Sequence, residues 1–305
     1  MHAFPARKCF KDDFLGVPYM QILDGKQVAE ARRRTIRTRA ERFQQKHGRA
    51  PGLAVILVGD DPASAVYVAN KIKACHEAAI SSFETRLPAH TTETELYAAI
   101  ERLNRDPKVD GILLQLPLPK TLDSRKAIQR IQPAKDADCL TAENLGRLWI
   151  GEPLTQPCTP WGVMVILEHF KIPVAGLNAV VIGRSQIVGK PMAHLLTQAN
   201  ATVTICHSRT RDLRHYTCNA DLVVVAAGQP EFLGREDFKK DSVIIDVGMH
   251  RKTLETGKTK LVGDVRLKEL EGWVKAATPV PGGVGPMTIT MLLENTLCLA
   301  EHATT

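Results

Sequence analysis

No stretch of this sequence approaches the ~18 consecutive apolar residues of a bilayer-spanning helix, so no membrane-inserted helix is expected. Met1 to Met20 contains no uninterrupted apolar run, which argues against a secretory signal, and Asp12 and Asp13 argue against a transit peptide. Residues 1–19 therefore read as an extension without an assigned purpose. No Cys-x-x-C pair occurs either. The seven cysteines, Cys9, Cys75, Cys139, Cys158, Cys206, Cys218 and Cys298, are odd in number and scattered. A disulfide framework and a zinc site are both disfavoured, no metal site is expected, and a reducing, cytoplasmic compartment fits best. Internal repeats and low-complexity tracts are also missing.

What is present is a chain of 305 residues, 44% apolar and 24% charged, long enough for two α/β domains rather than one. The formal charge is +7, and much of it falls in Ala31–Arg39, where Arg32, Arg33, Arg34, Arg37 and Arg39 cluster. A nucleic-acid surface is the obvious reading of such a run. However, Val28, Ala31, Thr35 and Ile36 recur at helix-face spacing with arginines between them, and no aromatic lies in the run to stack a base. The segment reads as a surface helix with a solvated basic face, and no nucleic-acid partner is expected.

Apolar runs at Leu53–Val58, Ser82–Leu87 and Asp110–Leu116 predict strands. Helices are predicted between them at Ala63–Ala79, after the turn Gly59-Asp60-Asp61-Pro62, and at Thr91–Asn104. Strand and helix alternate, so the sheet should be parallel. Gln132–Pro160, rich in Pro, Gly and polar residues, reads as a crossing between domains. Beyond it, a helix from Thr159 to Phe170 precedes strands at Asn178–Ile182, Ala201–Cys206, Asp221–Ala226 and Ser242–Val247, with a helix at Pro191–Ala199. An apolar helix from Thr288 to about Glu301 closes the chain. The second half is thus a short doubly wound unit.

In that half the strand Val180–Ile182 runs into Gly183-Arg184-Ser185-Gln186-Ile187-Val188-Gly189 and then a helix. A dinucleotide pyrophosphate needs this combination of glycine turn and free helix N–H groups. The middle glycine of the usual fingerprint is lacking, since Ser185 stands there, so a plain structural turn remains the alternative. A Walker-type phosphate loop is excluded, because five residues separate the glycines and Pro191 follows Lys190. The next strand ends in His207-Ser208-Arg209, with no carboxylate to bind a ribose 2′-hydroxyl or repel a 2′-phosphate. Ser208, Arg184 and Arg209 offer hydrogen bonds to a phosphate, which favours NADP over NAD; Arg209 as a solvated loop residue is the bland alternative. Ala226-Ala227-Gly228 and Val247-Gly248-Met249 place small residues at two further strand ends.

Tyr67 and Lys71 share one face of the first-half helix, where an aromatic beside an amine can stack a heterocycle and shuttle protons. Taken alone, the pair reads as a surface tyrosine beside a solvated lysine. Gln115 adds weight, because an amide inside Ile112-Leu113-Leu114-Gln115-Leu116-Pro117 must be satisfied or functional.

With Gly59–Ser64, Tyr67, Lys71, Asp110–Pro119, Pro157–Pro160, the Gly183 loop and Thr278–Thr288, the chain resembles the bifunctional methylenetetrahydrofolate dehydrogenase/cyclohydrolases over roughly residues 20 to 300. The resemblance implies two α/β domains with a cleft between them. Residues 20–157 would form a folate-binding catalytic domain completed by the C-terminal helix 287–302, and 158–286 a Rossmann-like NADP-binding domain. It implies NADP-dependent oxidation of 5,10-methylenetetrahydrofolate to the methenyl form, then hydrolysis to 10-formyltetrahydrofolate. Lys71 would be the catalytic amine, Gln115 its hydrogen-bond partner, Tyr67 the stacking ring and Asp138 the pterin ligand. Leu114, Leu116, Pro281, Gly282, Gly283, Val284 and Gly285 would complete the substrate site. Gly183, Arg184, Ser185, Ser208, Arg209 and Met249 would hold NADP. Tetrahydrofolate derivatives, with or without polyglutamate tails, are the expected partners, together with a second copy of the chain paired through the cofactor domain.

Two positions depart from the family pattern. Cys139 stands where Lys-Asp-x-Asp is usually followed by Gly, and His250 stands where Asn is frequent. Two competing readings remain: a two-domain NADP enzyme acting on another small acid, which leaves Tyr67, Lys71 and Gln115 together unexplained, and a nucleic-acid or regulatory module using the Arg32–Arg39 face.

Overall fold

The described residues are 20–253, 257 and 259–304 of a computed structural model, so the extension at 1–19 lies outside them. A short strand β1 (Gln21–Ile22) leads into the long helix α1 (Gly25–His47), whose first N–H groups, those of Lys26 and Gln27, are taken by the Asp24 carboxylate. β2 (Gly52–Val58) is apolar throughout and buried at every residue, as a strand covered on both faces must be. α2 (Pro62–Glu77) is capped by Asp61, which accepts from Ser64 N at 2.8 Å, and proline sits in its first turn, where its missing N–H costs nothing. After β3 (Ser81–Leu87), Thr92 and Glu95 form a reciprocal capping box that starts α3 (Glu93–Arg105). β4 (Gly111–Leu114) completes a parallel sheet in the order β3-β2-β4.

The stretch read as a bare crossing contains structure. It follows a short helix α4 (Ser124–Ile128) and includes α5 (Ala142–Trp149), capped by Thr141 and packed inward through Asn144 and Leu148. Then come α6 (Cys158–His169), β5 (Asn178–Ile182), α7 (Gly189–Gln198), β6 (Thr202–Cys206), α8 (Leu213–Thr217), β7 (Leu222–Val225) and β8 (Val243–Asp246). A hairpin of β9 (His250–Thr253) and β10 (Thr259–Val262), a two-residue β11 (Ala276–Ala277) and α9 (Val284–Ala303) follow. α9 begins at Val284 rather than at Thr288, because Pro286 falls in the first turn, where a helix tolerates proline.

The second sheet is parallel throughout, in the order β1-β11-β8-β7-β5-β6. β1 belongs to it although it precedes residue 157: Gln21 pairs with Ala276 and Ile22 with Ala277. The chain end makes the opposite crossing, since α9 packs on α1 and α6 and also touches α2, β2 and β4. One buried cluster runs through both halves, taking in Leu53, Val55 and Leu57 from β2, Met287, Met291 and Leu297 from α9, and Val181, Val224 and Ile245 from the second sheet. The two halves are therefore held together by shared packing and not by a linker alone.

The expected solvated basic face on α1 holds for Arg34 and Arg37, which are exposed, but not for Arg32, Arg33 and Arg39, which are partly buried in ion pairs. Arg32 pairs with Glu294 at 3.0 Å, Arg33 with Glu77 at 3.1 Å and Arg37 with Glu41 at 2.8 Å, while Arg39 bridges Glu294 and Glu301. Glu294 lies on α9 and is buried, so the arginines that neutralise it fasten α1 to the last helix. Guanidinium groups already spent on carboxylates are poor phosphate ligands, which removes the main support for a nucleic-acid role. The sequence missed this because Glu294 sits some 250 residues away in the apolar tail helix.

Candidate active site

β2 and β4 both deliver their C-terminal ends to one edge of the first sheet, where open parallel sheets bind ligands. α2 leaves from the end of β2, and Tyr67, Lys71 and Cys75, spaced by four, share one of its faces. Gln115 follows β4 directly. It is buried, and its Oε1 accepts from Lys71 Nζ at 2.7 Å while its Nε2 donates to Leu116 O. The amide thus turns its acceptor to the amine and uses its donor on the backbone, so the Lys71 head is fixed in direction. Burial pushes the Lys71 pKa down, against the opposing charge of Asp138. Tyr67 is about a third exposed, leaving ring surface for a flat ligand.

The Lys135–Cys139 loop separates its two carboxylates by role. Asp136, almost fully buried, is consumed locally: it accepts from Leu140 N at 3.1 Å, Thr141 N at 2.8 Å and Asn144 Nδ2 at 3.1 Å. Asp138, two residues on, faces Lys71 and Cys158. Burial raises its pKa to about 6, against the pull of the Cys158 hydrogen bond and the Lys71 charge. The Cys158 thiol is itself raised by burial. Asn295 on α9 anchors this corner, its Nδ2 reaching Ala137 O at 2.9 Å, Gln156 O at 2.7 Å and Cys158 Sγ at 3.5 Å. Sequence reasoning places Cys158 only within the Pro157–Pro160 motif, without a role, and does not single out Asn295. Asn295 gave a weaker signal than Gln115, because Glu294 and Thr296 flank it in the tail helix.

Cys139 keeps the left-handed conformation expected of a glycine, with φ of 56°. That conformation costs a non-glycine residue about 1–2 kcal/mol, while its buried side chain returns about 1 kcal/mol. Cys139→Gly is therefore expected to move the melting temperature by less than ~4 °C and to leave kcat/KM for the folate substrate unchanged or improved. A loss of tenfold or more in a folded variant would show that the cysteine shapes the loop in a way glycine cannot.

In the second half, Gly183 has φ of 126°, and a Cβ on it would come within 2.3 Å of Ala226 O; a Cβ on Gly189 would lie 2.2 Å from Gly183 O. Both positions need glycine, and the loop they allow opens on the N-terminus of α7. Ser185 Oγ accepts from Val188 N at 3.1 Å and Gly189 N at 3.2 Å, taking over the capping of that helix. At the end of β6, His207 N donates to Thr210 Oγ1 at 2.9 Å and Arg209 N to His207 Nδ1 at 3.1 Å, a tight turn with Ser208 and Arg209 exposed on it. Arg184 and Met249 are exposed on the same rim. A glycine-floored turn, a helix start and a strand end without carboxylate fit a phosphorylated dinucleotide. Of the segment 281–285, Pro281 and Gly285 are exposed, whereas Gly283 and Val284 are buried.

Among the described residues no group of His, Cys, Asp and Glu is arranged to hold a metal ion, and no helix is long and apolar enough to cross a membrane. Together the doubly wound sheet with its dinucleotide loop and the amine–amide–carboxylate corner define a two-domain dinucleotide-dependent enzyme. The chain belongs to the tetrahydrofolate dehydrogenase/cyclohydrolase family: residues 23–138 match the model of its catalytic domain and residues 157–304 that of its NAD(P)-binding domain. It is similar to the Bifunctional protein FolD of Bdellovibrio bacteriovorus, 58% identical over 92% of this chain and 96% of that protein. It is also similar to two crystal structures. One is the bifunctional FolD methylenetetrahydrofolate dehydrogenase/cyclohydrolase of Campylobacter jejuni, with a TM-score of 0.88 and 44% identity over 93% of this chain and 99% of that one. The other is the Trypanosoma brucei methylenetetrahydrofolate dehydrogenase-cyclohydrolase complexed with NADP and an inhibitor, with a TM-score of 0.90 and 38% identity over 94% and 99%.

Proposed function

We propose that Lys71, Gln115, Tyr67 and Asp138 form one site that serves both activities of this chain. These are the NADP-dependent oxidation of 5,10-methylenetetrahydrofolate to 5,10-methenyltetrahydrofolate and its hydrolysis to 10-formyltetrahydrofolate. The observation that carries the reading is the 2.7 Å bond from Lys71 Nζ to the buried Gln115 Oε1. NADP, where bound, would supply the hydride acceptor. The nitrogen lone pairs of the substrate expel the hydride, so the chain contributes mainly orientation to the first step. Tyr67 stacks on the pterin, Asp138 accepts its N–H donors, and Leu114, Leu116, Pro281, Gly282, Gly283, Val284 and Gly285 bound it. Gly183, Arg184, Ser185, Ser208, Arg209 and Met249 would hold NADP, with Ser208, Arg184 and Arg209 at its 2′-phosphate.

Hydrolysis requires proton movement. Water adds to the cationic methenyl carbon and must lose a proton; the bond from that carbon to N5 then breaks as N5 gains one. An amine with a lowered pKa, held in direction by Gln115, accepts the first proton and returns it. The domain division follows the same reading, with 20–157 and the tail helix 287–302 carrying the folate site and 158–286 carrying NADP. The exposed edge of β6, with Ile205 42% exposed, supports a homodimer formed through the cofactor domain. The scattered cysteines support a cytoplasmic setting, and polyglutamylated folates are included among the substrates.

Incubation with methylenetetrahydrofolate and NADP tests this reading: NADPH and 10-formyl product should form together, and no NADPH formation would refute it. The carboxyl value near 6 adds a pH dependence. Asp138 must be ionised to accept the pterin donors, so kcat/KM for the folate is expected to fall as pH drops through about 6. Asp138→Asn should be poor at every pH and lack this limb. A limb of the same position in Asp138→Asn would assign it to another group.

A further inference from the structure

Two buried carboxylates outside the amine corner are not needed by the chemistry above. Asp246, the last residue of β8, accepts from Gly248 N at 2.9 Å, Asp264 N at 3.0 Å and Val265 N at 2.9 Å. Asp264, fully buried, accepts from Ala227 N at 2.8 Å and Gly228 N at 3.0 Å through Oδ2, and its Oδ1 lies 2.7 Å from His250 Nε2. Asp246 N in turn donates to Thr278 Oγ1 at 2.8 Å, just ahead of the segment 281–285. Burial raises the Asp246 pKa to about 6, against its backbone hydrogen bonds and with Asp264's charge adding to the rise. A pair of buried acids is an expensive way to shape a loop.

What the pair shapes is defined by the sheet order. The pyrophosphate loop follows β5 and the 2′-phosphate turn follows β6, so the rest of a dinucleotide extends over the ends of β7 and β8 on the other side of β5. Ala227 and Gly228 follow β7, and Gly248 follows β8. The Gly248 backbone lies so close that a Cβ there would sit 2.4 Å from Asp264 Oδ1.

We propose that Asp264, steadied by His250, is a positioning residue for the nicotinamide half of the cofactor, holding the loop after β7 against the segment that follows β8. The inference rests on the reading of the second sheet as the NADP site. Because hydrolysis uses the Lys71 corner and no nicotinamide, disturbing the clamp should affect one activity and spare the other, which a general loss of stability would not do.

The experiment measures Asp264→Asn, Asp264→Ala and His250→Phe in two assays: NADPH formation from methylenetetrahydrofolate, and hydrolysis of methenyltetrahydrofolate supplied directly. Asp264→Asn keeps one acceptor oxygen and most of the shape, so it guards against failure of the alanine variant to fold. For Asp264→Ala or, if that does not fold, Asp264→Asn, dehydrogenase kcat/KM for NADP should fall by about tenfold or more, with hydrolysis within about twofold of the parent. Where both fold, Asp264→Asn should be the milder. His250→Phe should move in the same direction, since it fills the space without a ring nitrogen. Equal loss of both activities, or loss of neither, would overturn the positioning role. Separately, if Ser208→Asp left NADP binding untouched, the cofactor site itself would be misplaced and the proposal would fall with it.

Discussion

Ser208→Asp is expected to weaken NADP by about a hundredfold or more and NAD by less than about tenfold. At the end of β6, Ser208 and Arg209 are exposed on a turn fixed by His207 and Thr210. A carboxylate there would meet the 2′-phosphate at close range. Two like charges about 4 Å apart repel by roughly 4 kcal/mol at the effective dielectric of a protein surface. Salt screening reduces this, and about 1.4 kcal/mol corresponds to each tenfold in affinity. NAD carries no 2′-phosphate, and its free hydroxyl gains an acceptor, which limits any loss of NAD affinity to less than about tenfold. Fluorescence titration of the variant with each nucleotide separates the cases. Equal losses for both would show that this strand end does not face the 2′ position.

How much of this was legible in the sequence depended on whether the cause was local. β2, β3, α2, α3 and the doubly wound half were readable because apolar runs, Asp61 and Thr92 as caps, and the Gly183 turn act within a few residues of where they stand. The strand β1, two residues long, was not readable, because it exists only through its partner Ala276–Ala277. The β9–β10 hairpin carries mostly exposed polar residues and gives no apolar signal. α5 was hidden by the prolines and glycines on either side of it. In the site, Gln115 stood out as an amide in an apolar run, and the structure sets it against Lys71. The different duties of Asp136 and Asp138 were not separable from spacing alone; they follow from which backbone N–H groups the loop turns inward. The Asp246–Asp264 clamp joins residues from four strand ends, those of β7, β8, β10 and β11, and had no sequence signature.

Lys71→Met is expected to lower hydrolysis by roughly a hundredfold or more, the usual contribution of a positioned acid–base group, while the dehydrogenase step keeps a clearly measurable fraction of its rate. Methionine keeps most of the stem's length and apolar contact. It removes only the amine, leaving Gln115 Oε1 without its donor, at a cost of about 1–3 kcal/mol in stability. Hydride departure needs no base, so that step loses only the share of orientation that the amine supplied. Gln115→Ala should act in the same direction and less severely, because the amine remains but is no longer aimed.

On the proposed mechanism, one amine moves the protons of hydrolysis in a site where oxidation depends on positioning. The measurement that tests it most directly follows NADPH and methenyltetrahydrofolate absorbance together in folded Lys71→Met supplied with methylenetetrahydrofolate and NADP. NADPH should rise with a matching accumulation of methenyl product that decays at close to its uncatalysed rate. Passage to 10-formyltetrahydrofolate at near the parent rate, with no accumulation, would contradict the mechanism.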